Sequence, residues 1–181
     1  MKIIITSIAM LGMLLPGMAQ NVKTTFQTSS HWKPTIDVRA DAVMVYGTGS
    51  SPQISFQERV DSWRKQGYTT HFMTGIAWGG YSDYFTGKWD GKQHMDEGQK
   101  DMKGDTILHN PGTPYIVPTL NYLKYFKETQ LKPVIDEGIS DIFLEEPEFW
   151  AFAGYSESFK REWEAYYGFP WRAQHLSAEN T

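Results

Sequence analysis

The sequence predicts an α/β fold built on a parallel sheet. Two observations carry this: short apolar runs closed by glycine or acidic residues, and amphipathic capped stretches lying between them. A third is composition. Aromatic residues make up 15% of the chain and cysteine is absent, so one sizeable core is available without disulfides.

The first nineteen residues stand apart. Lys2 gives a basic start, Ile3 to Leu15 are mostly apolar, and Pro16-Gly17-Met18-Ala19 offers a small-residue cleavage site. This predicts a secretory signal peptide cut after Ala19 and a secreted or periplasmic protein. The run is shorter than the about 20 apolar residues a membrane span needs. With no cysteine, no lipid anchor is expected either. Residues 20–181 are then one domain.

Gln20 to Thr35 is polar and is expected to be a lead-in arm. Ala42 to Tyr46 is a continuous apolar run ending at Gly47, as suits a strand buried on both faces. Ser55 and Glu58 form a capping box. Phe56, Val60 and Trp63 fall on one face of the helix this box opens, and Gly67 ends it. Thr69 to Ala77 is strand-like again, which completes a βαβ unit.

The unit recurs. Tyr115 to Val117 is short and extended, and Pro118-Thr119 opens a helical stretch toward Glu137 with a kink or break at Pro133. Ser140 to Glu145 is the next strand. Ser156 caps a final helix whose Phe159, Trp163 and Tyr166 are expected to form a buried stripe, stopped by Gly168 and Pro170. Three to four βα units are present, whereas a closed (β/α)₈ barrel takes about 250 residues. The expectation is therefore the N-terminal portion of a (β/α)₈ TIM barrel, with Leu176 onward opening a further helix.

The formal net charge is −4 and basic residues do not cluster, which argues against a nucleic-acid partner. Neither a phosphate loop nor a dinucleotide fingerprint is present, so no cofactor is expected; Gly47-Thr-Gly-Ser-Ser-Pro52 lacks the lysine a phosphate cradle uses. The chemistry concentrates in Ile142 to Trp150, Ile-Phe-Leu-Glu-Glu-Pro-Glu-Phe-Trp. Ligands bind beyond the carboxyl ends of parallel strands, and carboxylates among aromatic rings suit sugar chemistry. Pro147 disfavours helix at Glu146 and is expected to hold it extended at the strand end. Glu146 is thus the first candidate for a proton donor, before Glu145 and Glu148. The bland alternative is a turn whose glutamates are merely solvated.

Glu146-Pro147 at a strand end resembles the Asn-Glu-Pro motif of the large clan of retaining (β/α)₈ glycoside hydrolases. The later Ser-Phe-Lys-Arg-Glu-Trp and Tyr-Tyr-Gly-Phe-Pro-Trp, within Ser158 to Trp171, is similar to its β-galactosidase-type branch. Ala-Trp-Gly-Gly-Tyr and Leu-Glu-Glu-Pro-Glu-Phe-Trp also resemble exported bacterial hydrolase-like proteins without assigned activity. The resemblance implies that Glu146 is the general acid/base and that O-glycosidic bonds are the target. Two departures stand out. The clan's asparagine is Glu145 here, and its nucleophile comes from a late barrel strand that this sequence does not reach.

The loop from Trp78 to Pro114 follows a strand and is rich in rings and hydrogen-bonding groups. Trp78, Tyr81, Trp89 and His94, with Glu148 and Trp150 from the acidic segment, are the expected sugar-binding residues. Alternatively, the loop's rings form a small satellite core beneath it. His94, Asp96 and Glu97 lack metal-site spacing, so no metal is expected, and His71 suits a satisfied core residue. The partner expected is a carbohydrate, with oligomeric state open. Competing readings are a carbohydrate-binding protein without catalysis and a metal-dependent hydrolase using His94, Asp96 and Glu97.

Overall fold

The computed structural model describes residues 22–49, 54–79 and 81–173; the predicted signal peptide and the segment from Leu176 lie outside them. Among the described residues the strands are β1 (Thr25–Thr28), β2 (Ala42–Tyr46), β3 (Thr69–Gly75), β4 (Leu108–Asn110), β5 (Thr113–Pro114) and β6 (Ile142–Glu145). The order in the main sheet is β1-β2-β3-β6, every neighbouring pair parallel. Helices are α1 (Phe56–Arg64), α2 (Ser82–Phe85), α3 (Leu120–Phe126), α4 (Lys132–Asp136) and α5 (Glu157–Tyr167). The mixed α/β fold with a parallel sheet is as expected.

Two strand assignments change. The polar arm contains β1, whose exposed and half-buried residues alternate because it is an edge strand with one face on the core. Phe26 supplies that face, edge-on to Trp63 at 5.3 Å. Tyr115 to Val117, by contrast, does not enter the main sheet. It continues the antiparallel β4–β5 ribbon through a bridge from Ile116 to Gly98.

α1 forms as its sequence dictates. The Ser55 side chain accepts from the Glu58 N–H, and the Glu58 carboxylate accepts from the Ser55 N–H at 2.7 Å. Phe56, Val60 and Trp63 are buried against Val43, Val45 and Phe72. Each such side chain contributes about 1.5–3 kcal/mol on burial. Between α3 and α4 the helix widens into a π turn over Lys127–Leu131, where the Lys132 N–H reaches back to the Lys127 carbonyl. Pro133 explains the break: it has no N–H for the Thr129 carbonyl four residues earlier. The Thr48 hydroxyl lies 3.2 Å from that carbonyl and 2.9 Å from Gln130 Oε1, so its one hydrogen is divided between the two acceptors.

α5 is capped by Ser156 and stopped by Gly168 at φ 74, where a left-handed residue is required. Its expected stripe is not buried. Phe159 and Trp163 are only half-covered and Tyr166 is 82% exposed. The neighbouring β6 is similar, with Phe143 and Leu144 on opposite faces, 44% and 46% exposed. Apolar periodicity marks a face that can be buried; it does not supply the partner.

Candidate active site at the strand ends

Because β2, β3 and β6 run parallel, their carboxyl ends share one rim. Val43, Val45, Phe72 and Ile142 face the helices, so Met44, Tyr46, His71, Met73, Phe143 and Glu145 occupy the opposite face. At the rim the Tyr46 hydroxyl interacts with the Glu145 carboxylate. Burial first, and that carboxylate second, push the phenol up to about 12. It therefore stays protonated, a neutral donor beside Glu145.

Glu146 is not extended. Its φ is 49, in the left-handed region, and directly after it the Glu148 N–H donates to the Glu146 carbonyl at 2.7 Å across Pro147. That conformation costs a residue with a Cβ about 1–2 kcal/mol. Such strain persists where surrounding structure holds it, and it clusters at functional sites. The Glu146 side chain remains exposed on the rim.

Glu148 is half-buried, its carboxylate interacting with the Tyr115 hydroxyl while Oε2 is buried without a hydrogen-bond partner. Burial and then Glu148 raise the Tyr115 phenol above its ordinary value. The loop backbone is fastened by Gln99, which is 0% exposed. Its Nε2 donates to the Glu148 carbonyl at 2.7 Å and to the Ile116 carbonyl at 3.1 Å, and its Oε1 accepts from the Trp150 N–H at 3.2 Å. Trp150 stands edge-on to Tyr115 at 5.6 Å and is 38% exposed.

A cleft of about 790 Å³ opens beside the rim, lined in part by Tyr46, Thr48, Trp78, Asp83, Asn110 and Tyr125. Trp78 lies flat on His109, with ring centroids 3.9 Å apart and an interplanar angle of 7°. The loop after β2 that borders the cleft is anchored by buried Arg59, whose guanidinium donates to the carbonyls of Ser29, Tyr46, Gly47 and Gly49. Desolvation lowers its pKa; the four carbonyls satisfy the two Nη groups, while Nε is buried without a hydrogen-bond partner.

The remaining loop residues gather elsewhere. Tyr81, Tyr84 and Phe85 form a second core with Tyr122, Tyr125 and Phe126, so the satellite-core alternative describes them. Tyr81 still borders the cleft, but its hydroxyl donates to the Gly75 carbonyl. His94 is 6% exposed, stacked on Tyr84 at 4.3 Å, with Nε2 3.1 Å from Asp90 and Nδ1 3.0 Å from the Asn121 amide. Glu97 is equally buried and accepts from the Tyr84 and Thr119 hydroxyls and from Asn121 at 3.0 Å. Trp89 donates its indole N–H to Glu128 at 3.1 Å and carries the Lys124 ammonium 5.6 Å over its ring.

Trp89 and His94 therefore do not join the strand-end carboxylates. Asp96 turns from His94 and Glu97 toward Arg161, 3.7 Å away, so those three do not converge as a metal-dependent reading needs. His71 is buried as expected yet not satisfied: Nδ1 has no hydrogen-bond partner, and the Asp141 carboxylate is 3.9 Å from Nε2. Sequence reasoning missed Gln99 and Tyr115, whose roles depend on partners 33 to 51 residues away. Tyr46 carried a signal, being the last residue of an apolar run before Gly47. No protein-family model matches the chain, and no curated protein or solved structure is significantly similar to it.

Proposed function

We propose that the chain forms the first βα units of a (β/α)₈ barrel in an exported enzyme that hydrolyses O-glycosidic bonds. The observation that carries this is Glu146. It is an exposed carboxyl group in a left-handed backbone at the carboxyl end of a parallel strand, flanked by Glu145, Glu148 and Trp150. Strand order supports the barrel, because four parallel strands follow one another without the reversal that marks a doubly wound sheet. So does the half-exposed apolar face of Met44, Met73 and Phe143, which a closed barrel would turn inward.

In this reading Glu146 protonates the leaving glycosidic oxygen and then, as the resemblance implies, activates water. Glu145 accepts from Tyr46 and binds a sugar hydroxyl where the clan uses asparagine. A second carboxylate about 5–5.5 Å from Glu146 is needed for a retaining mechanism, and it belongs on a strand beyond the open edge of β6. The full gene product, assayed on p-nitrophenyl hexopyranosides, is expected to release nitrophenol, and Glu146→Gln to remove most of that activity. Hydrolysis unchanged by Glu146→Gln would sink the assignment. A second reading, sugar binding without catalysis, is favoured by the Trp78–His109 stack beside the cleft. It predicts sugar affinity that survives Glu146→Gln and no hydrolysis by either protein.

A further inference from the structure

A second cavity, of about 240 Å³, lies between α3, the chain leaving β3 and the loop after β6, and the chemistry proposed above makes no use of it. Its walls are mostly apolar and include Ile76, Ile116, Tyr122, Phe126 and Phe149, with Glu148 among them. The neighbouring hydroxyls are spent within the protein. Tyr122 donates to the Ile76 carbonyl at 2.8 Å, while the Thr119 hydroxyl donates to Glu97 and accepts from the Tyr122 N–H. The Ile116 N–H and carbonyl are taken by Ala77 and Gln99. Glu148 differs. Among the described residues that line the cavity, its Oε2 is the one buried side-chain oxygen or nitrogen without a hydrogen-bond partner.

We propose that this cavity binds a small aromatic alcohol, a single ring of phenol or cresol size with its hydroxyl toward Glu148. Three observations select that class. An apolar cavity of about 150 Å³ takes benzene, so about 240 Å³ has room for a ring carrying a methyl and a hydroxyl group. Tyr122, Phe126 and Phe149 surround the space with rings, which favours an aromatic guest over an alkyl one. Glu148 Oε2 is covered from water and unpartnered, a cost that a guest with one polar group relieves. A hydroxyl both donates and accepts, so it serves the carboxyl group in either protonation form once that group turns about its terminal bond. A sugar does not suit these walls, because most of its hydroxyls would be stranded against apolar side chains. The site is thus separate in chemistry from the cleft beside Trp78, and it does not rest on the glycosidase reading. Pro147 also lines the cavity, so a bound ring packs against the residue that follows Glu146.

The test is a ligand-observed NMR titration of the full gene product with p-cresol and with toluene, which differ only in the hydroxyl. Two variants accompany it, and thermal melting of each checks that it folds. Glu148→Met removes the polar atoms and keeps the length of the side chain. Leu123→Trp narrows the cavity from a residue that lines it and is 49% exposed, so the core is spared. The unaltered protein is expected to bind p-cresol with a Kd of about 1 mM or below, about tenfold tighter than toluene. In Glu148→Met, p-cresol should lose about tenfold in affinity while toluene binds at least as well as before. Leu123→Trp should weaken both ligands about tenfold or more. The proposal is overturned by p-cresol that does not bind saturably, or by equal affinity for the two ligands in the unaltered protein. An unchanged p-cresol affinity in either variant places the ligand elsewhere and overturns it too. None of these readouts needs turnover, so the glycosidase reading stands or falls separately.

Discussion

The chain holds two clusters of acidic and aromatic residues that look alike in sequence and differ in one physical respect. Around Glu97, donors are complete: Tyr84, Thr119 and Asn121 all give hydrogens to its carboxylate, and His94 is held between Asp90 and Asn121. Around Glu145, Glu146 and Glu148 they are incomplete. Glu148 Oε2 has no donor, Glu146 is exposed in a strained backbone, and β6 has both faces half-open. A buried carboxylate whose acceptors are filled holds a loop together. Carboxylates left unfilled at a strand rim are available to a ligand.

That contrast can be broken most decisively at Glu146. Glu146→Gln is expected to reduce glycoside turnover by about 10² to 10⁴, the usual worth of a general acid, while the melting temperature stays within a degree or two. A comparable loss of turnover from Glu97→Gln without loss of stability would reverse the roles assigned to the two clusters. Next in size is the stability of the closed cluster itself. Glu97→Ala strands two hydroxyl donors and an amide in a buried site, and about 3 kcal/mol or more should vanish from the urea unfolding free energy. Truncating Glu145 to alanine at the rim should cost under 1 kcal/mol in the same titration.

A pH titration sharpens the comparison at the rim. Tyr46 has its folded-state pKa raised from 10.0 to about 12. A proton held more tightly in the folded protein stabilises it fully below pH 10, and this contribution is lost as pH rises through about 12. Tyrosinate absorbance should show one phenol titrating near the upper value. Glu145→Gln should bring it down only part of the way, since burial is the larger cause. The smallest effect concerns backbone strain. Glu146→Gly removes the left-handed penalty but adds unfolded-chain entropy, so a gain of about 1 kcal/mol or less is expected in urea unfolding. A clear destabilisation would mean that the Glu146 side chain itself holds the turn.

Legibility followed the range of the interactions. The Ser55–Glu58 box, the Ser156 cap and the Gly168 stop were readable because both partners lie within a few residues. The β1 edge strand was hidden by its polar residues, since only Phe26 marks the face that meets Trp63 and Tyr68. The loop rings were recognisable as a group, yet nothing local distinguished Trp78, which reaches the cleft, from Tyr84, which the second core buries completely. The preference that Pro147 imposes on the residue before it predicts an extended Glu146, whereas its φ is 49, in the left-handed region.

The sequence by itself determined the alternation of strands and helices, the capped ends, and the carboxylates placed where a parallel strand stops. Those are properties of periodicity and of neighbouring side chains. Only the tertiary structure decided which polar groups are satisfied. Gln99 reaches Glu148 and Trp150 across about fifty residues of chain, and Tyr115 meets Glu148 only because the ribbon folds back over the rim. Hydrogen-bond satisfaction depends on who arrives from elsewhere in the fold, and that is what separates the closed Glu97 cluster from the open rim.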